Sequence, residues 1–275
     1  MNSMNRIARR TLLGVALALP LLASAQLLPA ASPERVGLSG ERLQMLSDVL
    51  KADVAANKIP GAVLLVSRQG KVAWFDAIGK LDTAAGTPMV KDGLFRIYSM
   101  SKPITTVAAM MLVEDGKLKL DDPIAMYLPE FANMTVGVEK PGADGKPVLE
   151  TVPARRPISV QDLMRHTSGL TYGFFGPGLV KQAYNAANLG AGDPTLAEFS
   201  QRLAKLPLAY QPGTTWDYSQ STDILGRVIE VASGQSLYTF EKARLLDPLG
   251  MTDTSYYVPE PVRQQRIAEP LATDR

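Results

Sequence analysis

The 275-residue sequence predicts an α+β fold in which one early β-hairpin is combined with many helices. Two β-rich runs, GAVLLVSR from residue 61 and KVAWFDAIG from residue 71, are separated only by Gln69-Gly70, which is typical of a hairpin. Several other runs have apolar residues at helical spacing. A two-stranded sheet is marginal alone, so we expect helices to cover the hairpin or further strands to pair with it.

Two helices flank this hairpin in the sequence. The first is predicted over about residues 40–57, because Ser39 is a suitable N-cap and the pattern stops before Pro60-Gly61. Its apolar positions are Leu43, Leu46, Leu50 and Val54. The second follows Pro103, where the run ITTVAAMMLVEDG stops at Gly116. Glycine suits a helix C-terminus because it adopts left-handed backbone angles without strain.

The middle of the chain alternates polar and glycine-rich segments. Residues 133–157 are rich in Gly, Pro and charge and are predicted to form a surface excursion. Residues 171–194, TYGFFGPGLVKQAYNAANLGAGDP, contain too many glycines for a plain helix, and we expect a loop over a site.

Three further helix starts and stops are marked by short motifs. Ser159 with Asp162, and Thr195 with Glu198, have capping-box spacing and predict a helix at each place. A last helical pair is predicted over about residues 220–233 and 236–246, divided by Gly234.

The first 25 residues have the three parts of a secretory signal peptide. A basic start precedes an apolar stretch from Leu12 to Leu22 and the small-residue cleavage site Ala23-Ser24-Ala25. The stretch ARRTLLG also resembles a twin-arginine signal. We therefore expect residues 26–275 to form the mature domain, exported to the periplasm or secreted by the Sec or the twin-arginine route. No later run approaches the roughly 20 apolar residues of a membrane span.

Composition excludes some classes of function. The formal charge is +2, but three arginines lie in the predicted signal, and the remaining 26 basic and 27 acidic residues give −1. This balance offers no argument for nucleic-acid binding. The absence of cysteine excludes disulfides and thiol catalysis. We expect no metal ion and no organic cofactor.

The stretch FRIYSMSKPITT contains the candidate nucleophile. Pro103 fits the first turn of a helix, so Ser99, Ser101 and Lys102 lie at a helix N-terminus. Residues three apart share a face, which places Lys102 over Ser99 rather than Ser101. A helix N-terminus suits an oxyanion, and a lysine with a lowered pKa can act as the base. A helix cap followed by a solvated lysine is the structural alternative, since a lone S-x-x-K motif is weakly specific.

Two other residues bear on proton transfer. Tyr218, in WDYSQSTDILG, is either a core aromatic or a phenol whose pKa is lowered by nearby cations and which shuttles the proton. His166 would be needed for a Ser-His-Asp triad, but no G-x-S-x-G motif occurs in the sequence. We therefore expect His166 to cap carbonyls or to pack at the end of a short helix.

With Ser99, Lys102 and Tyr218 together, the sequence resembles the serine β-lactamases and penicillin-binding proteins. It is most similar to the class C-type branch that includes the family VIII carboxylesterases. The similar stretches run in the family's order from Ala30 to Asp253, and include PGAVLLVSRQGKVAWFDAIG, ISVQDLMRHTSGLTYG and DPLGMTDT. The resemblance implies an antiparallel sheet flanked by helices, with a mostly helical subdomain.

The resemblance also implies roles for individual residues. Ser99 would be the acylated nucleophile, Lys102 its base or electrostatic partner, and Tyr218 the tyrosine of the family's Y-x-N motif. Gln220 stands where that motif has Asn, which favours an esterase over a β-lactamase. Gln220 and Tyr172 are expected to contact substrate.

The family's third motif, K-T-G or an equivalent, is not found in the 57 residues after Tyr218. We therefore expect a sequence truncated at Arg275, lacking the C-terminal strands, and a poor catalyst as printed. The expected parent activity is hydrolysis of an ester or amide through an acyl-serine intermediate, with an esterase first. The alternatives are a β-lactamase or D-Ala-D-Ala peptidase acting on a β-lactam or peptide, and a non-catalytic protein of the same fold.

Overall fold

A computed structural model describes residues 28–274, so the predicted signal peptide lies outside the described residues. The predicted α+β class is confirmed, since an antiparallel sheet and a larger helical region are both present. Within residues 28–274, no helix combines the length and the apolar character that crossing a membrane requires.

The sheet has three antiparallel strands with one helix against it. Helix α1 (Gly40–Ala55) precedes strands β1 (Gly61–Arg68) and β2 (Lys71–Asp82), and the short β3 (Thr87–Pro88) pairs with the other edge of β2. The indole of Trp74 on β2 donates to Ser47 Oγ on α1 at 2.9 Å, which fixes the helix on the sheet. The predicted first helix and hairpin are both confirmed.

The turn of this hairpin shows why its two residues suit the position. Gln69 and Gly70 have φ angles of 53° and 66°, and this left-handed pair matches the twist of the strands that it joins.

The helical region follows the sheet in the sequence. Its helices are α2 (Lys102–Glu114), α3 (Val160–Arg165), α4 (Leu179–Ala186), α5 (Leu196–Leu203), α6 (Ser221–Ser233), α7 (Leu237–Glu241) and α8 (Pro261–Gln264). A π-helical turn at Lys242–Leu246 extends α7. Short 3₁₀ turns lie at Pro33–Val36, Tyr98–Ser101, Ile124–Met126, Pro129–Phe131 and Ala272–Asp274. Both predicted capping boxes form, at the starts of α3 and α5.

Two segments contain regular elements that the sequence did not predict, although residues 133–157 do lie largely at the surface. The predicted surface excursion contains a regular hairpin, β4 (Thr135–Pro141) and β5 (Pro147–Pro153), whose tip alone is a polar turn. Val136 is the buried residue of this hairpin and β5 is mostly exposed, while Gly137 lets Val180 of α4 approach β4 closely. The segment predicted as a glycine-rich loop contains α4, because eight of its residues between Gly178 and Ala187 are free of glycine and proline.

Helices α2 and α6 pack against each other at the centre of the helical core. The residues that they bury are Thr105, Ala108, Ala109 and Leu112 of α2 and Ile224, Leu225, Gly226, Val228 and Ile229 of α6. Ala108 and Ala109 of α2 are small and fully buried in this core, and Gly226 of α6 leaves room for Leu237 of α7. The packing therefore fixes the N-terminus of α2 beside that of α6, where the candidate site lies.

Candidate active site

Ser99 lies in the 3₁₀ turn that leads directly into α2, so its predicted place at a helix N-terminus is confirmed. The side chain of Ser99 is exposed. Tyr98 just before it has a φ of 43°, a left-handed angle that is strained for a non-glycine residue. The N–H of Ser99 comes at the start of the turn, where backbone donors have no partner within the helix. This N–H is therefore placed to donate to an oxyanion.

The structure brings together the three side chains that the sequence singled out. The Tyr218 hydroxyl donates to Ser99 Oγ at 2.6 Å, and Lys102 Nζ donates to the same oxygen at 3.3 Å. Lys102 Nζ also lies 4.7 Å from the centroid of the Tyr218 ring. The three groups form one hydrogen-bonded unit centred on an exposed serine oxygen.

The surroundings of Tyr218 make its phenol easier to ionise than a free tyrosine. Burial raises the pKa of Tyr218, but hydrogen bonding to Lys102 and Ser99 and the positive charge of Lys102 lower it, and the net pKa is below the ordinary value of a tyrosine. The carboxyl of Asp223 opposes this effect. A phenol of this kind exchanges a proton more readily near neutral pH than a free tyrosine does.

Ser101 takes no part in this hydrogen-bonded unit. Among the described residues, the Lys102 ammonium donates to Ser99 and not to Ser101. Ser101 lines a cavity of about 400 Å³ together with Lys102, Thr105 and Asp223. Burial raises the pKa of Asp223, although the charge of Lys102 opposes the shift. Ser99 is thus the serine whose oxygen meets both candidate proton carriers.

Aromatic side chains form a wall around Tyr218, and most of them were not predicted from the sequence. The ring of Tyr172 lies 5.5 Å from that of Tyr218 and stacks on Phe174 at 5.0 Å. Phe175 and Trp216 lie 6.0 and 6.3 Å from Tyr218. Phe174, Phe175 and Trp216 are exposed. The runs YGFF and WDY carry these rings, so aromatic clustering was the sequence signal that could have found them.

Tyr172 and Gln220, the predicted substrate contacts, lie in different settings. Tyr172 is half-buried in the aromatic wall, and burial raises the pKa of its phenol. Gln220 is the N-cap residue of α6, two positions after Tyr218, and its side chain is half-buried. Their contact with substrate stays a prediction.

His166 follows α3 directly and has a left-handed φ of 55°. Its ring packs 4.8 Å from the Tyr218 ring, and Nδ1 accepts a hydrogen bond from the Ser219 N–H at 3.3 Å. Burial and the charge of Lys102 lower the pKa of His166, while Asp217 raises it, with a net lowering. The imidazole packs behind Tyr218 and has no hydrogen bond to Ser99 in the described part of the chain.

No group of three or more metal-ligating side chains that could hold a metal ion occurs within residues 28–274. The polar groups at the centre of the site are a hydroxyl, an ammonium and a phenol. A lysine ammonium repels cations, so this donor set is unsuited to a metal ion.

An exposed serine at a helix N-terminus, bonded to a lysine and a tyrosine on an α+β scaffold, is typical of proteins that form acyl-serine intermediates. The sequence model of the family described as Beta-lactamase matches residues 46–274. This chain therefore belongs to the beta-lactamase family, as the resemblance predicted.

Individual relatives include named esterases. The chain is 44% identical over 204 residues to Protein Rv1367c of Mycobacterium tuberculosis, covering 74% of this chain and 49% of that protein. It is 37% identical over 223 residues to Esterase EstB of Burkholderia gladioli, covering 79% and 52%. The structure of EstCE1, described as a hydrolase with promiscuous acyltransferase activity, matches with a TM-score of 0.69 at 30% identity, covering 83% and 58%. The chain spans about half the length of the curated relatives that it matches.

Proposed function

We propose that this protein is a serine hydrolase that cleaves a small-molecule ester through an acyl intermediate on Ser99. The observation that carries the proposal is the pair of hydrogen bonds, 2.6 Å from Tyr218 and 3.3 Å from Lys102, that meet at Ser99 Oγ. The similarity to EstB, named an esterase, and to EstCE1, described as a hydrolase, supports the same reaction class.

Acylation begins when Ser99 Oγ attacks the ester carbonyl carbon. Tyr218 first releases its own phenol proton to solvent, and the resulting phenolate, stabilised by the Lys102 ammonium, takes the Ser99 hydroxyl proton as the new C–O bond forms. The carbonyl oxygen becomes an oxyanion, which the N–H of Ser99 stabilises. When the intermediate collapses, the bond to the leaving alkoxide breaks and Tyr218 returns the proton to that oxygen. The products are an alcohol and an acyl-Ser99 ester.

Deacylation repeats these reaction steps with water in place of the Ser99 hydroxyl. Tyr218, again a phenolate beside Lys102, takes a proton from water while the water oxygen attacks the acyl carbon. Collapse breaks the bond to Ser99 Oγ, which recovers its proton from Tyr218, and a carboxylic acid leaves. The same two side chains serve both halves, so the cycle needs neither histidine nor a cofactor.

The aromatic wall and Gln220 favour esters over β-lactams or peptides. Rings of Tyr172, Phe174, Phe175 and Trp216 present apolar surface around Tyr218 and offer few polar groups for an amide substrate. Gln220 replaces the asparagine that the family's Y-x-N motif has at this place. We therefore rank an ester first as substrate class and a β-lactam or D-Ala-D-Ala peptide second.

A fluorophosphonate probe tests the proposal, because it reacts with an activated serine and leaves a stable adduct. Mass spectrometry of the labelled protein, restored to the length of its relatives, is expected to place the adduct on Ser99. Ser99→Ala abolishes labelling, whereas the matched control Ser101→Ala retains it. An adduct on Ser101 that persists in Ser99→Ala would overturn the assignment of the nucleophile.

A further inference from the structure

We propose that His166 is a positioning residue, whose neutral imidazole, protonated at Nε2, holds residues 216–219 so that the Tyr218 hydroxyl stays against Ser99. The inference rests on the proposed function in one respect, the use of Tyr218 as the proton carrier. The hydrogen bonds of His166 itself are independent of that role.

Both neighbours of Tyr218 are tied to this one histidine. The Asp217 N–H donates to the His166 carbonyl oxygen at 2.9 Å, and the Ser219 N–H donates to His166 Nδ1 at 3.3 Å. One bond thus ends on the main chain of His166 and the other on its ring. Tyr218 lies between these two anchor points, so its backbone position follows that of His166.

The ring also supports the Tyr218 side chain directly. The imidazole centroid lies 4.8 Å from the phenol centroid, and Trp216 lies 6.3 Å from the imidazole in an edge arrangement. These are ordinary packing distances for aromatic pairs. The left-handed φ of 55° at His166 ends α3 and places both its carbonyl oxygen and its ring against this segment.

A chain of buried hydroxyls holds Ser219 from the other side. Ser219 Oγ lies 2.7 Å from Ser221 Oγ, which lies 2.8 Å from Ser168 Oγ, and all three serines are fully buried. Ser219 Oγ also lies 3.3 Å from His166 Nδ1. A buried backbone N–H requires an acceptor, so the Ser219 N–H fixes Nδ1 as unprotonated and places the proton on Nε2.

Burial and the nearby charge of Lys102 favour the neutral form of the His166 ring. The groups that face His166 are Lys102 of α2 and Asp217 and Tyr218 of the segment that it holds. Lys102 and burial favour the neutral imidazole, and Asp217 opposes them more weakly. Protonation would remove the acceptor of the Ser219 N–H and place a second cation near Lys102. Both effects loosen the contact between Tyr218 and Ser99.

The test uses the fact that His166 is the only histidine in the chain, so its NMR signals need no assignment. Nitrogen-15 spectra of the full chain are expected to show the Nε2–H form, titrating below the ordinary histidine pKa. Fluorophosphonate labelling of Ser99 should fall as the pH drops through the same value. An Nδ1–H form at neutral pH, or a labelling rate that does not change as His166 titrates, would overturn the proposal.

Two substitutions distinguish a need for the hydrogen-bond acceptor of His166 from a need for the volume of its side chain. His166→Asn keeps an oxygen acceptor close to the position of Nδ1, tolerates the left-handed angle and cannot titrate in this range. His166→Gln carries its amide further out and leaves the Ser219 N–H without an acceptor. In the His166→Asn variant we expect Ser99 to be labelled at a rate within about threefold of wild type, without the fall in rate at low pH. We expect Gln to label about tenfold more slowly, as follows from a loss of about 1.4 kcal/mol.

A control variant and a second measurement distinguish failure of the positioning role from failure of the proposed function. Ser200→Ala, which removes a buried hydroxyl bonded to Glu130, controls for general loss of stability and should label normally. Carbon-13 NMR of the tyrosine rings measures the pKa of Tyr218. We expect His166→Gln to return this pKa toward the ordinary tyrosine value and His166→Asn to leave it lowered. If wild type is not labelled at all, the proposed function fails, while this titration still decides the positioning role. If His166→Asn and His166→Gln gave the same labelling rate and the same Tyr218 pKa, the positioning role of His166 would be refuted.

Discussion

Thr105 Oγ1 and Glu241 Oε1 lie 2.9 Å apart in a buried contact, so a hydroxyl one turn after Lys102 is bonded to a carboxyl at the end of α7. The Tyr256 hydroxyl donates to the other oxygen, Oε2, at 3.0 Å. Burial raises the pKa of Glu241, although these two hydrogen bonds lower it in part. The carboxyl therefore joins α2, α7 and the segment around Tyr256 beneath the candidate site.

We predict that Glu241→Ala destabilises the protein by about 1–3 kcal/mol, because it leaves the buried Thr105 hydroxyl without its acceptor. Glu241→Gln keeps one acceptor and should cost less. Since the folded pKa is raised, wild-type stability should fall as pH rises from about 4.5 through that pKa. Urea unfolding at several pH values measures both effects. A Gln variant with the wild-type pH dependence would contradict this account.

The second prediction concerns acid stability through Asp162, which is fully buried. Burial raises its pKa, but hydrogen bonds from Arg156, Ser159 and Thr167 lower it to about 2. A depressed folded pKa stabilises the protein above the unfolded value near 4, and this contribution of about 2 kcal/mol is lost as pH falls from about 4 to 2.

Asp162→Asn should remove this acid dependence and lower the urea midpoint at pH 7. The matched control is Asp115→Asn, which breaks an exposed pair with Arg244 and should change the midpoint little. Equal losses for the two variants at pH 7 would show that burial of the Asp162 carboxylate is unimportant.

The elements that the sequence predicted well have short-range causes. Capping boxes at Ser159 and Thr195, the Gln69-Gly70 turn and the glycine after α6 each act within a few residues. The spacing of Ser99 and Lys102 is also local, which is why one serine could be preferred over the other. Meeting Tyr218 requires the packing of α2 on α6, and that pairing came from the family resemblance rather than from spacing.

What the sequence did not reveal depends on long-range packing. The β4–β5 hairpin was not predicted because its residues are mostly exposed and its turn is polar, and only Gly137 meets α4 closely. The contact of His166 with Tyr218 joins the end of α3 to the start of α6, and no periodicity encodes it. The exposed rings of Phe174 and Trp216 gave no burial pattern, so only their clustering in the sequence pointed to them.

Tyr218→Phe is predicted to slow labelling of Ser99 by a hundredfold or more, since loss of one member of a catalytic unit commonly costs orders of magnitude. The ring and its packing against His166 are kept, so the melting temperature should hardly change. Tyr210→Phe is the matched control, because Tyr210 lies outside the hydrogen-bonded unit of Ser99, Lys102 and Tyr218. Similar rates for the two variants would remove Tyr218 from the proton-transfer role.

Export is predicted to remove residues 1–25 and leave Gln26 as the N-terminus. Fractionation of the producing cells followed by intact mass measurement tests this directly. Replacing Arg9 and Arg10 by lysine keeps the charge of the n-region, so export continues by the Sec route and stops by the twin-arginine route. A cytoplasmic chain that retains Met1 in both forms would contradict the predicted signal.

The preference for esters is the prediction that most directly separates the candidate functions. Acyl transfer to Ser99 is expected from p-nitrophenyl acetate or butyrate and far less from nitrocefin, because the apolar rings around Tyr218 suit an acyl chain and Gln220 replaces the motif asparagine. Intact mass measurement detects the acyl adduct and p-nitrophenol release gives its rate. Gln220→Asn should raise the nitrocefin rate relative to the ester rate if this side chain contributes to the choice. A higher kcat/KM for nitrocefin in the wild-type chain would reverse the order and favour a β-lactamase.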